Sequence, residues 1–190
     1  MKSDLLKELF SKAVKEIQSL VTISYLLAVG IGMLFNFYKY KQFGINIFDY
    51  AGIFDFLIAP FADYKILLFT VVTIIATYLL YRFDIYWQRR YPVSYKRYSF
   101  NVDRFESYRK IKGSFSLIIF IFYLFIAANT YGKLTKRLIE EEATVSLRFT
   151  DNEEEVGKLI GKTNDVIFLS TDKGVKIIPI TSNVKEIRLK

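Results

Sequence analysis

The chain has 190 residues, 52% of them hydrophobic and 17% aromatic, and a net charge of +8. With several apolar runs of about 18 residues, it is too apolar for a soluble domain and fits a small polytopic membrane protein. It contains neither Cys nor His, which removes disulfide frameworks, Cys/His metal sites, thiol nucleophiles and the usual general base, so the expectation is a non-enzyme without a cofactor.

Residues 1–18 place Leu5, Leu6, Leu9, Phe10, Ala13, Val14 and Ile17 at helical spacing with Lys7, Lys12 and Lys15 opposite, which predicts an amphipathic helix along the membrane surface. A transmembrane domain over 19–132 follows. Its first span, about 20–37, has no small-residue cleavage site and is read as uncleaved; Ala28 and Gly32 form a small-xxx-small pair suited to close packing. The stretch "FGINIFDYAGIFDFLIAPFAD" (43–63) is apolar, yet Asp49 and Asp55 would each cost about 3 kcal/mol in mid-bilayer, and Gly44, Gly52 and Pro60 break it into short units. It reads as a re-entrant or interfacial helical hairpin, with a true fourth span as the alternative. The second and third spans are "ILLFTVVTIIATYLLY" (66–81) and "FSLIIFIFYLFIAANTY" (115–131).

Residues 133–142 predict a short charged helical stalk, and the composition then changes. "TVSLRF", "VGKLIG", "DVIFLS", "VKIIPI" and "VKEIRL" are short runs rich in Val and Ile, separated by turn residues. Residues 143–190 therefore predict a small all-β domain: an SH3-like or Sm-like barrel, or an open sheet. Pro179 cannot donate to a ladder, which places its strand at an edge or a bulge. So small a domain has little core of its own, and contacts with copies of itself would help it.

Charge sets the expected topology. The loop 82–112 carries nine Lys or Arg against Asp84, Asp103 and Glu106, so it is expected in the cytoplasm. With three spans the N-terminus is then also inside, while the acidic hairpin and the β domain lie outside.

Several motifs invite a functional reading. "GKLIGKT" (157–163) ends like a phosphate-binding Walker loop, but three residues rather than four separate its glycines, and a strand rather than a helix is expected to follow. Asp49 and Asp55 read as helix caps or surface carboxylates; repeated round an oligomer they would instead form acidic rings at a pore mouth. Thr70, Thr73 and Thr77 fall on one helical face of the second span. They serve either as a wetted pore lining or as packing residues bonded to the carbonyl one turn back. In the basic loop, Trp87, Tyr91, Tyr95 and Tyr98 alternate with Arg89, Arg90, Lys96 and Arg97. Guanidinium groups fork onto phosphates and rings offer stacking platforms, a composition suited to a nucleotide or single-stranded oligonucleotide. The bland alternative is an aromatic belt with cations for orientation and anionic headgroups.

"FYKYKQFGINIFDY" after the first span, and "KLIGKTNDVIFLSTDKGVKIIPITSNVKEI" after two more, resemble a loose group of small uncharacterised bacterial membrane proteins with a "YxxFGI" segment and a C-terminal β domain. That resemblance implies the bacterial inner membrane and no activity. In architecture alone the chain is similar to channel-forming effectors of nucleotide-signalled anti-phage defence, of the CBASS, Pycsar, Hailong and CRISPR-associated kinds; no family site carries over residue by residue. The expectation is a homo-oligomeric ion channel, with a tetramer the favoured number, gated by an anionic ligand such as a nucleotide. The alternative is a non-channel membrane sensor or scaffold whose β domain binds a protein partner.

Overall fold

The computed structural model describes residues 2–99, 108–150, 152–180 and 184–189. The side chains of Leu5, Leu6, Leu9, Phe10 and Ala13, and those of 100–113 in the basic loop, lie outside the described residues. Helix α1, Lys2–Lys41, is continuous from the predicted surface segment through the first span, a rod of about 60 Å. No break separates the two. α1 stops at Gly44, whose φ of 74° is the left-handed geometry that closes a helix; Ile45 N–H then donates back to the Tyr40 carbonyl at 3.1 Å.

A single 3₁₀ turn, Ile47–Asp49, leads into α2, Ile53–Ala62. α2 begins where the Asp55 carboxylate accepts the Gly52 N–H at 2.8 Å and ends at Asp63, which in turn caps α3 by accepting the Lys65 N–H at 2.9 Å. At ten residues α2 is too short to cross a membrane. The fourth-span alternative is thereby excluded, and α2 instead packs along the second half of α1. Pro60 has no N–H to offer the Phe56 carbonyl, and that oxygen lies where a side chain on Gly32 would be. Only a glycine admits it, so the close packing read from the small-residue pair is made, at Gly32, with α2 of the same chain.

α3, Tyr64–Arg90, and α5, Tyr108–Glu141, are joined through the short α4, Pro92–Tyr98. The predicted loop is thus largely helical, and the predicted stalk is the end of α5. Three helices are long and apolar enough to cross a membrane: Val14–Lys41, Tyr64–Arg90 and Ser114–Glu141. They meet at their β-proximal ends, where Phe35, Phe69 and Tyr131 form a three-ring cluster with centroids 5.3–6.5 Å apart around buried Ile66 and Ala128. Only 17%, 17% and 22% of the apolar window of the three spans is buried within the chain, which leaves most of their apolar surface uncovered by the chain itself.

The C-terminal part is a five-stranded antiparallel sheet: β1 Val145–Phe149, β2 Glu154–Lys162, β3 Val166–Thr171, β4 Gly174–Pro179 and β5 Val184–Leu189, in the order β4-β3-β2-β1-β5. All five predicted strands are present. β4 is an edge, where Pro179 costs no ladder bond. Alternation sorts the sheet's two faces. Val145, Leu147, Ile167, Leu169 and Ile178 form one buried cluster, while Ile160 and Phe168 point the other way into a core shared with Val29, Tyr40, Ile47, Phe56 and Ile139 of the helices. The β domain therefore completes its core against the helices of its own chain. Phe168, fully buried, has its ring 4.9 Å from Tyr40 and 5.6 Å from Tyr50.

Phe168→Ala is expected to cost about 3–5 kcal/mol, the range for truncating a buried aromatic, and to loosen the sheet from the helices. Thermal unfolding in detergent, together with limited proteolysis in the 142–145 connection, checks both effects.

Candidate functional site

The residues singled out in sequence are spread over the helical part: the aromatic and basic set at the C-terminal end of α3 and on α4, the threonines along the first half of α3, and Asp49 and Asp55 in the segment before it. At the C-terminal end, α4 folds back so that Trp87 meets Tyr95 edge-on and Tyr98 at a tilt, each with centroids 5.8 Å apart. Tyr95 is buried. These rings hold the corner between α3 and α4 by packing on one another, as an edge-to-face pair prefers. Tyr91 and Tyr98 keep exposed faces, and Arg89, Arg90, Lys96 and Arg97 are exposed around them. The corner is thus a rigid aromatic knuckle with a basic surface.

The threonine stripe is turned inward within the single chain. Thr70 and Thr73 are buried and Thr77 is half-buried. Each hydroxyl donates to the carbonyl four residues back, Ile66, Phe69 and Thr73, at 2.8, 2.8 and 2.9 Å, the self-satisfying arrangement open to threonine in an apolar helix. Asp49 is exposed and accepts from the Asn46 amide at 2.9 Å. Asp55 caps α2 and also accepts the Asn164 N–H at 3.3 Å, tying α2 to the β2–β3 turn. The "GKLIGKT" stretch lies almost wholly within β2, with no phosphate-loop geometry.

At the N-terminal end of α3 the fold builds a site that no sequence motif announced. A cleft of about 650 Å³ opens between the last turns of α1, the helix α2, the first turn of α3 and the β2–β3 turn. Lys39 and Tyr40 from α1, Lys65 from α3 and Lys162 from β2 line it, as do the carboxylates Asp55 and Asp63. The β2–β3 turn is fixed by Thr163, whose hydroxyl accepts the Asp165 and Val166 N–H groups at 3.3 and 3.2 Å. Beside it, a register shift at Leu159/Gly161 bends β2 towards α1. A side chain on Gly161 would collide with the Tyr40 hydroxyl and lie 3.2 Å from Lys39 Nζ. Asp63 is held from two helices, accepting the Tyr131 hydroxyl at 2.7 Å and the Lys65 N–H at 2.9 Å.

The one signal for this cleft in the sequence is Gly161 inside a strand, since glycine there marks a bulge or a close approach. Lys39, Lys65 and Lys162 are far apart in the chain and individually look like ordinary helix-end or strand cations.

No protein-family model matches the sequence, and no curated protein matches it. Among solved structures, a crystal structure of the pleiotropic translational regulator Hfq is similar over 31% of this chain and 97% of its own, at 14% identity and a TM-score of 0.24.

Removing the Tyr131 hydroxyl leaves one Asp63 oxygen without its donor. Tyr131→Phe is therefore expected to cost about 1–3 kcal/mol, the penalty for an unsatisfied polar group, whereas Thr77→Val, whose hydroxyl bonds only its own helix, is expected to be nearly neutral. Thermal unfolding of the two variants side by side checks the contrast.

Proposed function

We propose that this multi-pass membrane protein is a homo-oligomeric effector whose spans line an ion path and whose state is set by an anionic ligand. The observation that carries the assembly is the open sheet. β4 and β5 are its two edges, and an edge strand presents a row of unpaired N–H and C=O groups to any matching strand. Val175 and Ile177 on β4 are partly exposed apolar residues. On β5, Arg188 Nε donates to Glu186 at 2.9 Å; this hydrogen bond holds the Glu186 carboxyl below its ordinary range and raises the guanidinium. An apolar edge and a charged edge at opposite ends of one sheet suit a head-to-tail contact, which closes into a ring when the rotation allows. Because the sheet is packed on α1, such a ring would gather the exposed spans round one axis.

The ligand in this reading is anionic and bound at the α3–α4 corner. Arg89, Arg90, Lys96 and Arg97 supply phosphate contacts, and Tyr91 and Tyr98 supply exposed ring faces; Trp87 and Tyr95 shape the corner rather than stack on a base. Positive charge at this end also supports a cytoplasmic corner and N-terminus, with the β domain across the membrane. A second reading, a non-conducting sensor or scaffold with a protein partner at the sheet, draws on the threonine stripe, whose hydroxyls are already satisfied inside the helix.

The natural chain lacks cysteine, so single-cysteine labelling is clean. Val93→Cys is expected to react only from the cytoplasm and Lys173→Cys only from outside; reaction of both from one side contradicts the topology. For assembly, mass measurement of the detergent-solubilised protein is expected to give a multimer. Ile177→Lys, which places a charge on the β4 edge, is expected to shift it towards monomer and to abolish ion flux in liposomes. A monomeric wild type without flux removes the channel reading in favour of the scaffold.

A further inference from the structure

The geometry points to the cleft between α1, α2, α3 and the β2–β3 turn as a binding site for a phosphate ester, held by Lys39, Lys65 and Lys162 with the Tyr40 hydroxyl. This site is independent of the α3–α4 corner, from which it is separated by the length of α3. The argument rests on which polar groups inside the cleft are already engaged.

Every acceptor oxygen of its two carboxylates has a donor from the protein. Asp63 takes the Lys65 N–H and the Tyr131 hydroxyl; Asp55 takes the N–H groups of Gly52 and Asn164. The donors are in the opposite condition. Among the described residues no hydrogen bond or ion pair from the protein reaches the ammonium groups of Lys39, Lys65 or Lys162, or the hydroxyl of Tyr40. The Lys39 ammonium lies 5.2 Å from the centroid of the Tyr40 ring, and both groups crowd the face of Gly161. Three cations against two committed carboxylates leave a donor-rich, net positive cleft, and what complements it is a compact, acceptor-rich anion.

Phosphate suits these donors better than a carboxylate, because lysines from three different elements line one cleft and a phosphate presents several oxygens at once. A cleft of about 650 Å³ is much larger than one phosphate. The remaining lining includes Ile58, Ala59 and Ile66, at the level where the spans of α1 and α3 end and begin. The ligand therefore carries an apolar part beside its phosphate. An anionic phospholipid headgroup and a free phosphate ester share this chemistry, and the experiment distinguishes them. Occupancy would bridge α1 and α3 to the sheet, so that the ligand sets the position of the β domain against the spans.

The test uses the full-length protein in a non-ionic detergent, with thermal unfolding and native mass spectrometry as readouts. Two probes are titrated: glycerol 3-phosphate, as a soluble phosphate ester, and a short-chain phosphatidylglycerol, with zwitterionic, net-neutral phosphatidylcholine as the comparison. Wild type is expected to bind at least one of the first two in preference to phosphatidylcholine. Binding of both assigns the site to the phosphate ester itself, and binding of phosphatidylglycerol alone assigns it to a lipid. Lys39→Gln combined with Lys162→Gln is expected to weaken the affinity by about tenfold or more, from the loss of two charge-assisted contacts, while Lys173→Gln, in the exposed β3–β4 turn and outside both sites, leaves it unchanged. Lys162 is exposed, so Lys162→Gln alone tests the site in a chain whose core is intact, and a smaller loss in the same direction is expected. The inference is overturned if neither probe binds the folded wild type in preference to phosphatidylcholine, or if Arg90→Gln with Arg97→Gln at the α3–α4 corner loses binding while the cleft lysine variants keep it. It is also overturned if calcium ions rather than phosphate esters stabilise the wild type through Asp55 and Asp63. Failure at the lysines with binding retained at the corner leaves the proposed function standing, so the two readings fail separately.

Discussion

The packing of Phe168 between Tyr40 and Tyr50 decides how everything else in this molecule is arranged. A sheet of fewer than 50 residues has enough apolar side chains for one thin layer, and this chain completes that layer by turning the second face of β2 and β3 onto the end of its first span. Ile160, Phe168 and Ile139 lie in the same cluster as Val29, Tyr40 and Phe56. Membrane helices and sheet therefore share one core across the end of the spans, and a displacement of either is felt by the other.

The short helix α2 belongs to the same arrangement. Pro60 strips the Phe56 carbonyl of its helical donor, Gly32 gives that oxygen a place against α1, and Asp55 reaches from the start of α2 to the β2–β3 turn. A polar group left without a partner at this depth would be costly. Both Asp55 oxygens have N–H donors, from Gly52 and Asn164, and the sequence features that look like helix breakers turn out to be the docking points of a short helix. The cleft exists because α2 stops at Asp63, short of filling the space beneath the β2–β3 turn.

Much of this was legible in the sequence, and for identifiable reasons. Three long apolar runs and five Val/Ile-rich segments separated by turn residues carry strong local signals, and both the spans and the strands lie where those signals place them. Gly52, Pro60 and the two aspartates foretold a broken segment rather than a fourth span. The loop 82–112 read as a loop because its charges hide helical spacing; Trp87, Tyr95 and Tyr98 are neighbours only once α4 folds back. The spacing of Thr70, Thr73 and Thr77 marked a shared face without saying what the face meets. Lys39, Lys65 and Lys162 carry no common pattern, because their convergence is made by tertiary packing alone, and only Gly161 within a strand pointed towards it.

The two ends of α3 thus present different surfaces: a basic aromatic corner at one, and at the other a donor-rich cleft built from the junction of helices and sheet. Both matter to function only if the junction behaves as a rigid connection. Hydrogen exchange of the full-length protein under increasing denaturant tests this directly, since segments of one cooperative unit open together. Amides of β3 and of residues 31–40 in α1 are expected to lose protection in a single common transition. Loss of protection in β3 well before α1 would show a sheet that opens on its own, and would contradict the shared core on which this account rests.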